Sequence, residues 1–377
     1  MMIKKIVDRQ FRANPAYTLV AYNRLSPYER EQLEQLAEDA NFYGVMVNGG
    51  DSKAVDPETA LLILTLQEPG YIPSYIRHKF GRTTNQAIAR LVLDDVLQIA
   101  VGDDFLSGPK AHAAIYETAE NQATSNHPIA QLSHKALRYA QAMPLMPHDL
   151  LAQRLYLYNT IPISAYWRQK LPSATTVEAW LGINSWMEPT WQRTDNGGSQ
   201  GWISWHHRRS NRGSLAYKLY ISPHPDIFAQ VFAQIVEILG RHQVPSFKVG
   251  KDVSGILRPD KMVAYLPNLE ELAALAQVLQ AELAGCAPQG VPFTAPIDNA
   301  GLLSWGMDPP DSAQVFAEDG RNSWRFWITQ QLATTLNLAK ASDTAVEPWQ
   351  FALDRLQLEG VDTKRWVPRQ TIWNTQD

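Results

Sequence analysis

Four side chains in the middle of this chain have the types and placement needed to grip an anion. In YKLYISPHPD (217–226), Leu215, Tyr217, Leu219 and Ile221 alternate as the core face of a β-strand, which leaves Ala216, Lys218 and Tyr220 on the other face. The short strand SFKV turns Phe247 and Val249 inward and Lys248 to the opposite side. Arg258 stands in the loop GILRPD, just ahead of the strand KMVAYLP. Residues 201–265 carry nine Lys/Arg against four Asp/Glu, and they hold His206, His207, His224 and His242. Cations gathered on one sheet face suit an anionic ligand, phosphate above all, for which arginine offers two parallel donors. The chain has no P-loop, GxGxxG, HExxH or EF-hand pattern and no kinase signature set. The phosphate is therefore expected on something other than a nucleotide.

The elements that position these groups follow from the surrounding pattern. Between the two lysine strands, Ile227, Phe228, Val231, Phe232, Ile235, Ile238 and Leu239 form the apolar stripe of a helix that Asp226 can cap and Gly240 ends. After KMVAYLP a second helix starts at Asn268, with Glu271 completing a capping box and Leu272, Leu275, Ala276, Leu279 and Leu283 as its stripe. The order strand, helix, strand, strand, helix predicts an α+β fold, with an antiparallel or mixed sheet and helices on one face. Upstream, WMEPTWQRTDNGGSQGWISWHHRR reads as a hairpin turning at Asp195-Asn196-Gly197-Gly198. Most of the twelve tryptophans, Trp305 among them, are expected in the core.

Residues 1–160 read as a mainly helical region and residues 161–377 as the α+β domain. Helix candidates are SPYEREQLEQLAEDA behind its N-cap Ser26, ETALLILTLQ, TTNQAIARLVLDDVLQIA, SHKALRYAQAM and DLLAQRLYLYN. From Tyr71 to Gly108 the order is helix, turn, helix and a two-strand ribbon turning at Gly102-Asp103-Asp104; it fits a winged-helix-like, peptide-binding part or a plain helical bundle. The net charge of −4 argues against a generally basic nucleic-acid binder. No apolar run reaches membrane-spanning length. The opening MMIKKIVDRQFRANPAY lacks the apolar segment of a secretory signal. Cys286 alone can form neither an internal disulfide nor a thiolate cluster, so a cytoplasmic location is expected.

The run YKLYISPHPD…VPSFKVGKDVSGILRPDKMVAYLPN resembles the core of the phosphothreonine lyase superfamily. GVPFTAPI, EDGRNSWRFWITQQLATTL and LEGVDTKRWVPRQTIW resemble the branch holding the HopA type III effector family and the lyases of class V lanthipeptide pathways. The resemblance spans roughly residues 150–373. It implies metal-independent, cofactor-free β-elimination of phosphate from phosphoserine or phosphothreonine in a precursor peptide, giving dehydroalanine or dehydrobutyrine. It also implies a separate kinase as partner, and neither nucleic acid nor membrane. Lys248 takes the place of the general base. Lys218, Arg258 and Lys261, with Arg325 or Arg321, are implied to hold the phosphate, and Arg208 and Arg209 could contribute from the hairpin. The family's histidine two residues after the strand lysine is Tyr220 here, which leaves Tyr220, His206 or His207 as the acid.

Other readings stand beside these. Lys218 and Lys248 could be solvated residues on an open sheet face, and WHHRR a solvated hairpin edge. Asp260 could pair structurally with Arg258 or Lys261. His224 reads as a loop residue and Cys286 as an inert buried thiol. The site could also serve a non-catalytic phosphopeptide- or kinase-binding scaffold, or, at a greater remove, single-stranded nucleic acid along the tryptophans.

Overall fold

The computed structural model describes residues 3–27, 44–48, 51–117, 125–194, 201–210, 215–309 and 323–368. These form two compact units, neither continuous in sequence. One takes the residues up to 117 with 334–361; the other takes 125–309, 323–333 and 362–368. The fold is α+β, and its three larger sheets are antiparallel.

The first unit places β1 (Gln10–Ala13), β2 (Thr18–Ala21), β3 (Gly44–Asn48), β4 (Asp51–Val55), β5 (Gly70–Tyr71), β6 (Leu97–Val101) and β7 (Asp104–Leu106) in two sheets, ordered β5-β1-β6-β7 and β2-β3-β4. Its helices include α1 (Pro57–Thr65), α2 (Ser74–Phe80) and α3 (Thr84–Leu93). Asp56 starts α1 by accepting from Thr59 N at 2.7 Å, and Pro57 stands where a missing N–H costs nothing. The ribbon β6–β7 turns through Gly102, whose φ of +62° needs no Cβ to accommodate. This region holds more strand than its sequence suggests. Strands of two to five residues offer too few alternations to stand out between helical stripes. The helix expected after Ser26 lies, beyond Pro27, outside the described residues.

The second unit opens with α4 (Pro128–Ala142), α5 (His148–Tyr156), α6 (Ala165–Lys170) and α7 (Ala174–Leu181). Then come β8 (Trp191–Arg193), β9 (Trp202–His207), β10 (Tyr217–Ile221), α8 (Pro225–Arg241), β11 (Ser246–Gly250), the short α9 (Val253–Leu257), β12 (Met262–Leu266) and α10 (Leu269–Glu282). After β13 (Ala295–Pro296) and β14 (Leu303–Met307) follows α11 (Trp324–Lys340), of which the residues through Ala333 belong to this unit. The seven strands lie in the order β13-β14-β10-β12-β11-β9-β8. β8 and β9 pair as the tryptophan hairpin requires; its turn lies outside the described residues.

One face of this sheet is the core. Ile203, Trp205, Leu219, Ile221, Phe247, Val249, Met262, Ala264 and Leu303 are all buried in one cluster with Phe228, Phe232 and Ile235 of α8 and Leu272, Leu275 and Leu279 of α10. Trp305 packs against the same cluster. Asn268 caps α10 as expected, accepting from Glu271 N at 2.8 Å and donating to Glu271 Oε1 at 2.9 Å. The cap of α8 differs from expectation. His224 Nδ1, 3.5 Å from Asp226 N, is the acceptor, and Asp226 sits within the first turn, where its carboxylate suits the positive end of the helix.

Two close approaches frame the opposite face. Gly250, ending β11, lies so near Gly255 of α9 that a Cβ on it would come within 2.4 Å of the Gly255 carbonyl carbon. This contact seats α9 on the strand end and delivers Arg258 at its C-terminus. At Gly306 of β14, a Cβ would stand 3.0 Å from the Trp324 ring, so the bare backbone is what admits the first residue of α11. Trp324 is fully buried and donates through Nε1 to Phe293 O at 3.0 Å.

Candidate functional site

Residues paired across antiparallel strands share a face, so the register alone lays out the surface opposite the helices. One row reads Ser204, Lys248, Val263, Tyr220, Ser304; the next reads His206, Ser246, Tyr265, Lys218, Gly306. Lys248 and Tyr220 thus stand two strand spacings apart, about 10 Å between backbones, with Val263 between them.

Two rings gather the cations. The Tyr265 ring lies 5.9 Å from Lys218 Nζ and 5.7 Å from Lys248 Nζ. The Trp202 ring lies 4.3 Å from Lys248 Nζ and 5.1 Å from Arg258 Cζ. Arg258 also meets the Tyr156 ring of α5, 5.3 Å away, and the same phenol ring lies 4.5 Å from Arg325 Cζ. The sheet, α5, α9 and α11 therefore bring Lys218, Lys248, Arg258 and Arg325 to one place.

Asp260 anchors the guanidiniums. It accepts from Arg258 Nε at 2.9 Å and Nη2 at 2.8 Å, accepts from Tyr156 Oη at 3.2 Å, and pairs with Arg325 Nη1 at 2.7 Å. Burial works against its charge, but Arg325 and Arg258 hold the carboxyl well below the usual range. Arg325 is fully buried and donates also to Pro292 O at 3.1 Å and Tyr156 O at 2.6 Å. Lys218 is ion-paired with Asp308, just beyond β14.

Lys248 is different. Among the described residues nothing accepts a hydrogen bond from its ammonium or forms an ion pair with it. Burial lowers its pKa, an effect that Tyr156 and Asp260 oppose and Arg258 reinforces. A lysine so placed reaches its neutral form more readily than a solvated one. Tyr220 is buried at 3% exposure, and burial pushes its hydroxyl well above the ordinary phenol value. It can donate a hydrogen bond from this face but resists losing its proton.

Three expected members are elsewhere. His207 has the parity of Trp205 and points to the core: its ring lies 5.3 Å from Trp191 and its Nδ1 accepts from Arg209 N at 3.2 Å. Arg208 lies beyond the end of β9 and donates to Glu188 O at 2.6 Å. Lys261 precedes β12, where strand alternation no longer binds it, and turns toward α8. Its fully buried amine donates to Pro223 O at 2.9 Å and Gln289 Oε1 at 2.5 Å, 6.0 Å from the Phe228 ring. His206 keeps the site face, diagonal to Lys248, a neighbour at roughly 7–8 Å. Arg321 lies outside the described residues.

Lys261 has a measurable signature. Burial brings its pKa from 10.5 to about 7. Between those values the unfolded chain binds a proton that the folded chain does not, so stability rises with pH across the window. Urea unfolding from pH 7 to pH 10 is expected to show this rise in the wild-type protein and to lose it in Lys261→Met. Parallel profiles for the two proteins would contradict the assignment.

Sequence reasoning missed Tyr156, Trp202, Tyr265 and Asp308. Parity could have found two of them. Trp202 is an odd number of residues from the core-facing Trp205, and Tyr265 lies between the core residues Ala264 and Leu266. Asp308 and Tyr156 depend on which strand and which helix lie beside β10 and Arg258, and no local pattern encodes that.

No family model matches the sequence, and no curated protein does. Among solved structures, the chain is similar to an effector protein from Pseudomonas syringae pv. tomato strain DC3000, with 12% identity over 64% of this chain and 97% of that one and a TM-score of 0.42. It is similar to the type III effector/phosphothreonine lyase OspF from Shigella flexneri, with 13% identity, 52% and 93% coverage and a TM-score of 0.29. It is also similar to the phosphothreonine lyase SpvC, an effector from Salmonella, with 15% identity, 54% and 97% coverage and a TM-score of 0.29. Among the described residues no helix is long and apolar enough to cross a membrane.

Proposed function

We propose that this protein is a carbon–oxygen lyase that eliminates phosphate from phosphoserine or phosphothreonine in a peptide. The observation that carries the reading is a lysine without an anionic partner standing among three cations that can hold a phosphate. Neutral Lys248 takes the Cα proton; the freed electron pair becomes the second Cα–Cβ bond; the Cβ–O bond breaks and phosphate leaves. An ester dianion would depart with a third negative charge unless that charge is met. Arg258, Arg325 and Lys218 oppose it electrostatically, and the Tyr220 hydroxyl donates toward it. Tyr220, or His206 from the next row, delivers the proton. This set needs neither metal nor organic cofactor.

Asp260 and Asp308 temper the site. With Lys248 neutral, three cations face two carboxylates, so phosphate is attracted without being trapped. The sequence resemblance supports the finer identity: a phosphorylated precursor peptide, phosphorylated by a separate kinase, in lanthipeptide-type maturation. The helix-turn-helix and ribbon formed by α2, α3, β6 and β7 are then a candidate holder for that peptide. Incubating the purified protein with phosphoserine and phosphothreonine peptides is expected to yield the dehydrated peptide and free inorganic phosphate by mass spectrometry. A second reading, a phosphopeptide-binding scaffold, draws on the raised pKa of Tyr220, which makes it a reluctant acid. Saturable phosphopeptide binding without any change of mass would select that reading over the first.

A further inference from the structure

The first turn of α11 buries every large side chain but one. Trp324 and Arg325 have no exposed surface, Trp327 has 6% and Ile328 none, whereas Phe326 is 39% exposed. Isolated apolar residues at the surface are ordinary. Phe326 is not isolated: its ring stands edge-on to Tyr156, at 6.3 Å between centroids and 74° between planes. Tyr156 is the ring that carries Arg325 at 4.5 Å and Arg258 at 5.3 Å. An uncovered apolar surface thus lies one ring away from the guanidiniums, across Tyr156.

We propose that Phe326 sets which residue the enzyme accepts beside the phosphorylated one, favouring an apolar side chain; this rests on the lyase reading above. A peptide held by its phosphate at Arg258, with the buried Arg325 adding only its charge, runs on at about 3.3 Å per residue. One or two residues from the phosphate, its side chain reaches the distance that separates Tyr156 from Phe326. A leucine or valine there covers the exposed part of the ring. An aspartate leaves it uncovered and adds an anion beside Asp260.

The test uses phosphoserine peptides carrying Leu, Ala or Asp in the two residues on either side of the phosphoserine. The wild-type protein is expected to prefer Leu over Asp peptides by about fivefold or more in kcat/KM, the change that follows from covering some tens of Å² of apolar surface. The preference is expected to lie in KM, because the contact is made before and during the reaction alike. Phe326→Ser is expected to bring the Leu-to-Asp ratio close to one, and Phe326→Leu to retain it. An equal ratio in wild type and Phe326→Ser overturns the proposal, as does the absence of any preference in the wild type. Fluorescence anisotropy of the same labelled peptides separates the two levels. If no peptide is turned over but the Leu peptide binds more tightly and loses that advantage in Phe326→Ser, the lyase reading fails and the role of Phe326 stands. If no peptide binds, both fail.

Discussion

Replacing Lys248 with alanine is expected to lower phosphate elimination by about a hundred- to ten-thousand-fold, the range typical of a lost general base. The fold should survive, because Lys248 is half-buried and, among the described residues, its ammonium meets only the Trp202 and Tyr265 rings. Phosphopeptide binding should survive as well, since Lys218, Arg258 and Arg325 remain. Loss of turnover without loss of affinity is the signature of a group acting on the Cα proton rather than on the phosphate. The wild-type rate should climb with pH as Lys248 deprotonates, with a midpoint below the ordinary lysine value of about 10.4. Normal turnover by Lys248→Ala, or a rate that falls over the same pH range, would show that another group removes the proton.

Asp260→Ala is expected to destabilise the protein by about 3–5 kcal/mol, the usual result of removing one partner from a buried charge network. Arg325 would keep its two carbonyl acceptors but lose the only carboxylate paired with it among the described residues. The Asp260 contribution is present throughout the neutral range, because the carboxyl's pKa is held below the ordinary one. It is lost only as the pH falls through that lowered value. Inorganic phosphate should restore part of the missing stability, since a dianion can occupy the place between the two guanidiniums, and its effect on the melting temperature should be larger than in the wild type. A variant as stable as the wild type, indifferent to phosphate, would mean that the pairs seen here contribute little.

Much of the sheet was legible because its strands alternate cleanly: β10, β11 and β12, with α8 and α10 between and after them, follow from apolar periodicity and one capping box. The same parity places Lys218, Tyr220 and Lys248 on the face away from the helices, where the structure has them. It was not carried into the hairpin, where it decides between the two adjacent histidines: His206 takes the site face and His207 the other. Lys261 was expected at the phosphate from the resemblance alone; it precedes the strand, in a segment that turns toward α8 and buries its amine against backbone and amide acceptors. The strand order lay beyond any local signal. β14 pairs with β10 across some eighty residues of intervening chain, and only that pairing brings Asp308 to Lys218.

The seat of Trp324 on Gly306 has a consequence for how the site is assembled. The tryptophan can drop into place only once β14 has joined β10, because the backbone it rests on does not exist as a surface before then. Arg325 is the next residue and is carried in with it. The last guanidinium thus reaches Asp260 only after a closure across some eighty residues is complete, so a partly folded chain holds an incomplete cation cluster and grips phosphate poorly. A single hydrogen in place of a side chain ties competence for chemistry to completion of the fold.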